Sequence, residues 1–198
     1  MKRVALVTGG TGLLGSWLIP ALVRHGYEKV YALVRKKSDG DNGIRRLYAT
    51  IDSNGDERSV QLIRRNIEVI EGDICASKVV ESRRALSAIR GKITDIFHAA
   101  ALADFNASLP AIRLVNVIGT KNISELALYL HAKSDVDIRF HHISTAFVAG
   151  TQQGYFEESQ FNCGQNFFNS YERSKFEEEE IVREYSMKKG LNVTIYRP

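Results

Sequence analysis

Residues 8–15 read Thr-Gly-Gly-Thr-Gly-Leu-Leu-Gly, between an apolar run at 3–8 and an amphipathic stretch that reaches Gly26. Glycines at 9, 12 and 15 give the spacing G-x-x-G-x-x-G. A strand that turns into a helix within a few residues needs backbone free of side chains at the turn, so this spacing predicts a strand–turn–helix unit. The same composition decides what the unit can hold. Bare backbone admits a pyrophosphate, and the last glycine lets the helix pack close to the sheet. The helix N-terminus then offers free N–H groups and the positive end of its dipole. Gly9, Thr11, Gly12, Leu13, Leu14 and Gly15 are the candidate cradle for a dinucleotide.

The rest of the chain continues the alternation. Short, nearly continuous apolar runs at 3–8, 29–34, 67–71, 94–98, 137–144 and 191–196 read as strands covered on both faces. Helical spacing follows Leu13 as far as Gly26, and again over 79–89, 111–131 and 169–189, with Gly190 as a C-cap. Residues 36–65 are turn-rich, with a short helix expected at 44–50. This order predicts an α/β, Rossmann-like doubly wound parallel sheet with helices on both faces. A chain of 198 residues buries roughly 70% of its unfolded surface, enough for one domain over 1–198 without disulfides or metal. Trp17 is expected in the core and the acids Glu177–Glu180 on a solvated helical face.

Composition narrows the partners. Lys plus Arg number 27 and Asp plus Glu 23, an excess too small to indicate nucleic acid. No run approaches the ~18 apolar residues of a membrane span, and the N-terminal apolar run is too short for a signal peptide. Cys75 and Cys163 are two isolated thiols without metal spacing, which fits a reducing compartment, so a cytoplasmic protein is expected. His141 and His142 are strand neighbours that point to opposite faces, and no metal site is expected.

The second apolar run ends Leu33-Val34-Arg35-Lys36-Lys37, with no acid to hold a ribose 2′-hydroxyl. Arg35 there suits a 2′-phosphate, so NADP is favoured over NAD. Asp73, just past the third run, is a candidate for the adenine amino group or a loop cap. Tyr171 and Lys175 stand at i and i+4, on one face of a helix. A tyrosine hydroxyl ionises near 10, and a nearby ammonium lowers that value toward useful acid–base work. Ser144 and Thr145, at the end of the fifth run, compete as the hydroxyl that holds a substrate oxygen.

Taken in order, Thr8–Gly15, Gly72-Asp73-Ile74, His98-Ala99-Ala100-Ala101, Asn116–Thr120, Ser144-Thr145, Tyr171-x-x-x-Lys175 and Tyr196-Arg197-Pro198 resemble the extended short-chain dehydrogenase/reductases over the whole chain. Residues 31–35, 98–101 with Asp104-Phe105, 142–146 and 169–175 are most similar to the thioester reductase and fatty acyl reductase, or male sterility-like, branch. The resemblance implies that Lys175 holds the nicotinamide ribose, that Thr145 rather than Ser144 is the active hydroxyl, and that Asn116 stands beside the nicotinamide. Ile74, Ala99, Ala100 and Ala101 would line the cofactor channel, and Arg35 with Arg46 (or Arg45) would surround the 2′-phosphate. His98 is assigned to packing.

The implied reaction is NADPH-dependent reduction of an acyl thioester to an aldehyde or alcohol. Its substrate would be a small molecule or an acyl group on an acyl carrier protein; a homodimer is one open arrangement. A nucleotide-sugar epimerase or dehydratase with bound NAD is the alternative, and a non-catalytic dinucleotide-binding module the second. In this family the chain beyond Arg-Pro supplies most of the substrate pocket, so that C-terminal region is expected to be absent from residues 1–198.

Overall fold

The structure, a computed structural model, describes residues 2–35, 43–52, 57–132 and 136–198. Lys36, Lys37 and the turn-rich stretches 38–42 and 53–56 lie outside them. Among the described residues six strands form one parallel sheet: β1 Val4–Thr8, β2 Lys29–Val34, β3 Ile67–Glu71, β4 Asp95–His98, β5 Arg139–Ile143 and β6 Asn192–Tyr196, in the order β3-β2-β1-β4-β5-β6. The chain winds outward from β1 to β3 and returns to place β4 on the other side of β1. Thr8 is in register with Leu33 on one side and His98 on the other. The carboxyl ends of β1 and β4 therefore flank the point where the winding reverses, where such sheets form a crevice.

Alternation along the buried strands sorts the core into two layers. Leu6, Tyr31, Leu33, Ile96 and Phe140 point to one face and pack with helices α4 Arg83–Ile89, α6 Gly119–His131 and α7 Ser170–Lys189. Ala5, Val7, Val30, Ala32 and Val34 point to the other and pack with α1 Leu13–Arg24, α2 Gly43–Asp52 and α3 Glu57–Asn66. The expected Rossmann-like sheet is what forms.

Several local expectations are corrected. Helix α3 is hidden in the sequence by the turn composition before it and by its own polar, Arg-rich make-up; its packing against α1, with Ile63 buried, decides the conformation. The helix expected at 79–89 starts only at Arg83, where the Ser82 hydroxyl accepts from the Ala85 amide at 3.2 Å. Val79 and Val80 instead plug the core from the preceding loop. The helix expected at 111–131 begins as α5 Leu109–Arg113 and passes through a π turn, Leu114–Ile118, into α6.

Trp17 is not core: it is 54% exposed. Helix α1 covers β1 and β2 with Ile19, Leu22 and Val23, while Trp17 faces a cavity of about 1110 Å³ over β4–β6, with Phe97, Ile195 and Pro198 in its lining. Helix α7 ends as expected, with Gly190 left-handed at φ 70°. At its start the Asn169 side chain accepts from the Glu172 amide and the Glu172 carboxylate accepts from the Phe168 amide, each at 2.9 Å. This reciprocal cap fixes Tyr171 in the first turn. Among the described residues no helix is long and apolar enough to cross a membrane.

Candidate active site

The glycine loop forms a tight cradle. The Gly12 amide donates to the Gly9 carbonyl at 2.9 Å, closing the turn out of β1. Gly9 sits at φ 72°, and a Cβ there would fall 2.6 Å from the Ala99 and Ala100 backbone. A Cβ on Gly15 would overlap the Gly9 carbonyl. No side chain caps the N-terminus of α1 and no acid occupies its first turn, so the cradle keeps positive helix-end character for an anion. Leu13 is 79% exposed at the mouth of the helix; Leu14 turns toward the large cavity.

A cleft of about 220 Å³ runs from this cradle across the ends of β2 and β3. It brings together Gly9, Thr11 and Gly12 with Arg35, Arg46, Ile74 and Ala99–Ala101, all expected at the cofactor. Arg46 donates from Nη2 to the Arg35 carbonyl at 3.4 Å, so both arginines share one rim; Arg45 is exposed and does not line the cleft. Asp73 does not line it either. Its carboxylate accepts from the Cys75 amide at 2.9 Å, which ties the loop after β3. Cys75 does line the cleft, a residue that sequence reasoning missed because nothing local marks it. Burial and the Asp73 charge push its thiol up to about 11.

At the other end of the crevice, β5 delivers Ser144 and Thr145. Their roles separate clearly. Ser144 donates its hydroxyl to Glu179 at 2.7 Å and is committed to the interior. Thr145 caps a short 3₁₀ turn, accepting from the Phe147 amide at 3.3 Å. Tyr171 is half-buried and packs edge-on against Phe105, with ring centroids 5.2 Å apart. Burial raises its pKa above the usual value, as does the Glu178 charge, while the hydrogen bond with Thr145 pulls it down.

The spacing alone leads one to expect Lys175 to lower the pKa of Tyr171. Lys175 is buried, donates from Nζ to the Ile143 carbonyl at 2.7 Å and is ion-paired with Glu178. Burial, and after it the Glu178 charge, decides the balance at Tyr171, which is why the phenol is raised rather than lowered. Asn116 lies in the π turn, fully buried. Its amide oxygen accepts from the Leu102 amide at 2.7 Å, and its NH₂ donates to Ser174 at 2.9 Å. It therefore clamps the loop after β4 onto α7, beneath the crevice. His98 is packed at its strand end, between the hydroxyls of Thr8 at 2.7 Å and Thr120 at 2.9 Å.

The acid run is the main correction. Of Glu177–Glu180 only Glu180 is exposed. Glu178 and Glu179 are wholly buried, and Glu177 is held by Arg113 at 2.7 Å. Glu179 accepts from Ser144 and is paired with Arg183 at 3.0 Å and Arg197 at 2.6 Å. A sequence shows four acids on a helix with cations three or four residues away, but the partners Arg197, Ser144 and Arg113 lie 18 to 64 residues away, beyond β6, just after β5 and on α5. Phe161 and Phe167 pack on Phe176, while Phe168 is 75% exposed.

Comparison with known proteins gives the family and the fold. A family model described as Male sterility protein aligns with residues 7–198. One of the subunits that make up the linear gramicidin synthase of Brevibacillus parabrevis is 30% identical over 202 residues, covering 98% of this chain and 4% of that protein. The terminal R domain of the myxalamid PKS-NRPS pathway superposes with a TM-score of 0.81 at 29% identity, covering 100% of this chain and 49% of that one. A thiolation-reductase di-domain from an archaeal non-ribosomal peptide synthetase does so with a TM-score of 0.81 at 26% identity, covering 100% and 52%. The chain thus spans about half of these solved domains and a small part of the curated relative.

Proposed function

The chain belongs to the Male sterility protein family of extended short-chain dehydrogenase/reductases, an NAD(P)-binding fold, and on that premise we propose that it serves NADPH-dependent reduction of an acyl thioester. The observation that carries the reading is the bond from Lys175 Nζ to the Ile143 carbonyl at 2.7 Å, which sets Tyr171, one helical turn earlier on α7, at the carboxyl end of β5 with Thr145. The cradle that a Cβ would fill, the uncapped α1 and the paired arginines fit a phosphorylated dinucleotide.

Gly9, Gly12 and the first turn of α1 would hold the pyrophosphate, Arg35 and Arg46 the 2′-phosphate, and Lys175 the nicotinamide ribose. When bound, the reduced nicotinamide supplies the hydride. Thr145 donates a hydrogen bond to the carbonyl oxygen and orients it toward Tyr171. Tyr171, kept as a phenol by burial and by Glu178, donates its proton to that oxygen as negative charge develops there. Arg35 at the end of β2, in place of an acid, supports NADP over NAD.

We place the substrate-holding region outside residues 1–198, a reading supported by the half-length match to solved reductase domains and by the uncovered cavity over β4–β6. A carrier-bound acyl group is the proposed substrate, supported by relatives that are reductase domains of carrier-linked synthetases. Two free cysteines support a reducing, cytoplasmic location. The test is NADPH consumption by the full-length protein on a panel of acyl-coenzyme A thioesters, with the aldehyde trapped. Tyr171→Phe is expected to lower turnover by roughly 10²–10⁴-fold while NADPH binding stays. Full turnover in that variant, or NAD retained through purification without thioester turnover, overturns the proposal.

A further inference from the structure

Glu178 is 0% exposed and stands three residues after Lys175, on the same face of α7. Groups from three elements face its carboxylate, with a fourth element behind them. Lys175 pairs with Oε1 from its own helix. His142 brings Nε2 to 3.4 Å from the same oxygen, from β5. Thr120, on α6, donates to Oε2 at 3.3 Å. Behind Thr120 stands His98 on β4, its ring at 2.9 Å from that hydroxyl and at 2.7 Å from the hydroxyl of Thr8, the residue before the glycine loop. Burial holds His98 neutral, so it extends the hydrogen bonds without adding a countercharge. Tyr171 is the other ionisable group that feels the carboxylate.

The neighbouring acid makes the contrast. Glu179 is held by two guanidinium groups and a hydroxyl, an arrangement that ties β5, α7 and the chain after β6 together. Among the described residues Glu178 has one permanently cationic neighbour, Lys175, the lysine read above as the ribose holder. A buried carboxylate held by a single ammonium is a weak source of stability, since apolar replacements for such a pair are often neutral or better. Its main effect falls on its partner, which without it would be a buried, uncompensated ammonium.

We propose that Glu178 is a positioning residue that keeps Lys175 charged and anchored one helical turn from Tyr171, ready for the cofactor ribose. The proposal rests on the reading of Lys175 as the cofactor lysine. The same carboxylate opposes ionisation of Tyr171 and so preserves the protonated phenol that a carbonyl reduction needs.

The experiment is equilibrium titration of NADP⁺ against the protein and its variants across about pH 7 to 9, a range in which an amine stripped of its countercharge is expected to lose its proton. Wild type is expected to bind with nearly constant affinity. In Glu178→Gln affinity falls by about tenfold across the range, as the buried ammonium deprotonates. Lys175→Met binds weakly at every pH, and Lys175→Met/Glu178→Gln behaves like it. A merely structural Glu178 would lower the melting temperature of Glu178→Gln and leave the slope of affinity against pH as in wild type; that result overturns the proposal. Wild-type affinity in Lys175→Met instead overturns the reading of Lys175 on which it rests. Should Glu178→Gln not fold, Glu178→Asp carries the same comparison. Its carboxylate is drawn back by one methylene, the fall is expected at smaller amplitude, and a slope like that of wild type overturns the proposal.

Discussion

Where the crevice meets β1 and β2 its wall is backbone and small side chains, whereas where it meets β4 and β5 it rests on buried charge. The first half consists of Gly9, Gly12 and Gly15, an uncapped helix and three alanines facing them across the switch point, with Arg35 and Arg46 at its outer rim. Buried carboxylates and a buried ammonium belong to the second half: Glu172, Lys175, Glu178 and Glu179, all on α7. The difference fits the tasks proposed for them. A pyrophosphate is held by N–H groups at close range, for which side chains are obstacles. Proton transfer at a carbonyl needs ionisable groups fixed in place, and fixing them in a dry interior requires partners.

The largest expected effect tests the charged half. Glu179→Ala leaves Arg183, Arg197 and Ser144 without their acceptor, and breaking such a buried pair is expected to destabilise the fold by about 3–5 kcal/mol in denaturant unfolding. Exposed Glu180→Ala is expected to change stability by less than about 0.5 kcal/mol. Equal effects at the two positions would dissolve the distinction between a solvated and a buried acid.

Next comes the backbone half. Gly9→Ala meets the Ala99–Ala100 backbone at 2.6 Å and forces an alanine to φ 72°. Overpacking and left-handed strain together amount to roughly 2–4 kcal/mol. NADPH affinity is expected to fall by about tenfold or more as the cradle opens, read by fluorescence titration. Unchanged affinity would mean that the pyrophosphate is held elsewhere.

Near neutral pH the smallest effect is a pH dependence of stability, which grows as the pH falls. Burial holds the His98 imidazole neutral down to about pH 3 in the folded chain, first by desolvation and then by the neighbouring His142. The unfolded chain binds that proton near pH 6.5. Between these values the unfolded state carries more protons, so the melting temperature is expected to fall as pH drops below about 6.5. Glu177, Glu178 and Glu179, held below the ordinary carboxylate range by their cations, add a second loss only below about pH 4.5. His98→Asn should remove the upper step and leave the lower one. A single step in wild type, confined to the carboxylate range, would place a charged histidine in the interior.

The two halves also differ in how far the sequence reveals them. The cradle is legible because turn chemistry is local: glycine spacing, a preceding strand and a following helix lie within 26 residues. Tyr171, Lys175 and the Ser144-Thr145 pair are legible as types at fixed spacing. What supports them is not. Besides Lys175 and Arg183 on their own helix, Glu178 and Glu179 gain partners from β5, α6 and the chain after β6, and a run of four acids read alone looks like a wet helix face. Trp17 fails in the opposite direction. An aromatic residue at helical spacing reads as core, but the face it turns to is the one over β4–β6 that no described helix covers. Arg46 and Arg45 separate only once helix α2 fixes which of them faces the cleft.

The most direct test of the central claim is paired titration of NADPH and NADH against wild type and Arg35→Ala. NADPH is expected to bind wild type about ten- to a hundredfold more tightly, the share of one or two charge-assisted hydrogen bonds to the 2′-phosphate, and the preference is expected to shrink in Arg35→Ala. Equal or tighter binding of NADH by wild type would contradict the assignment of this cleft to NADPH.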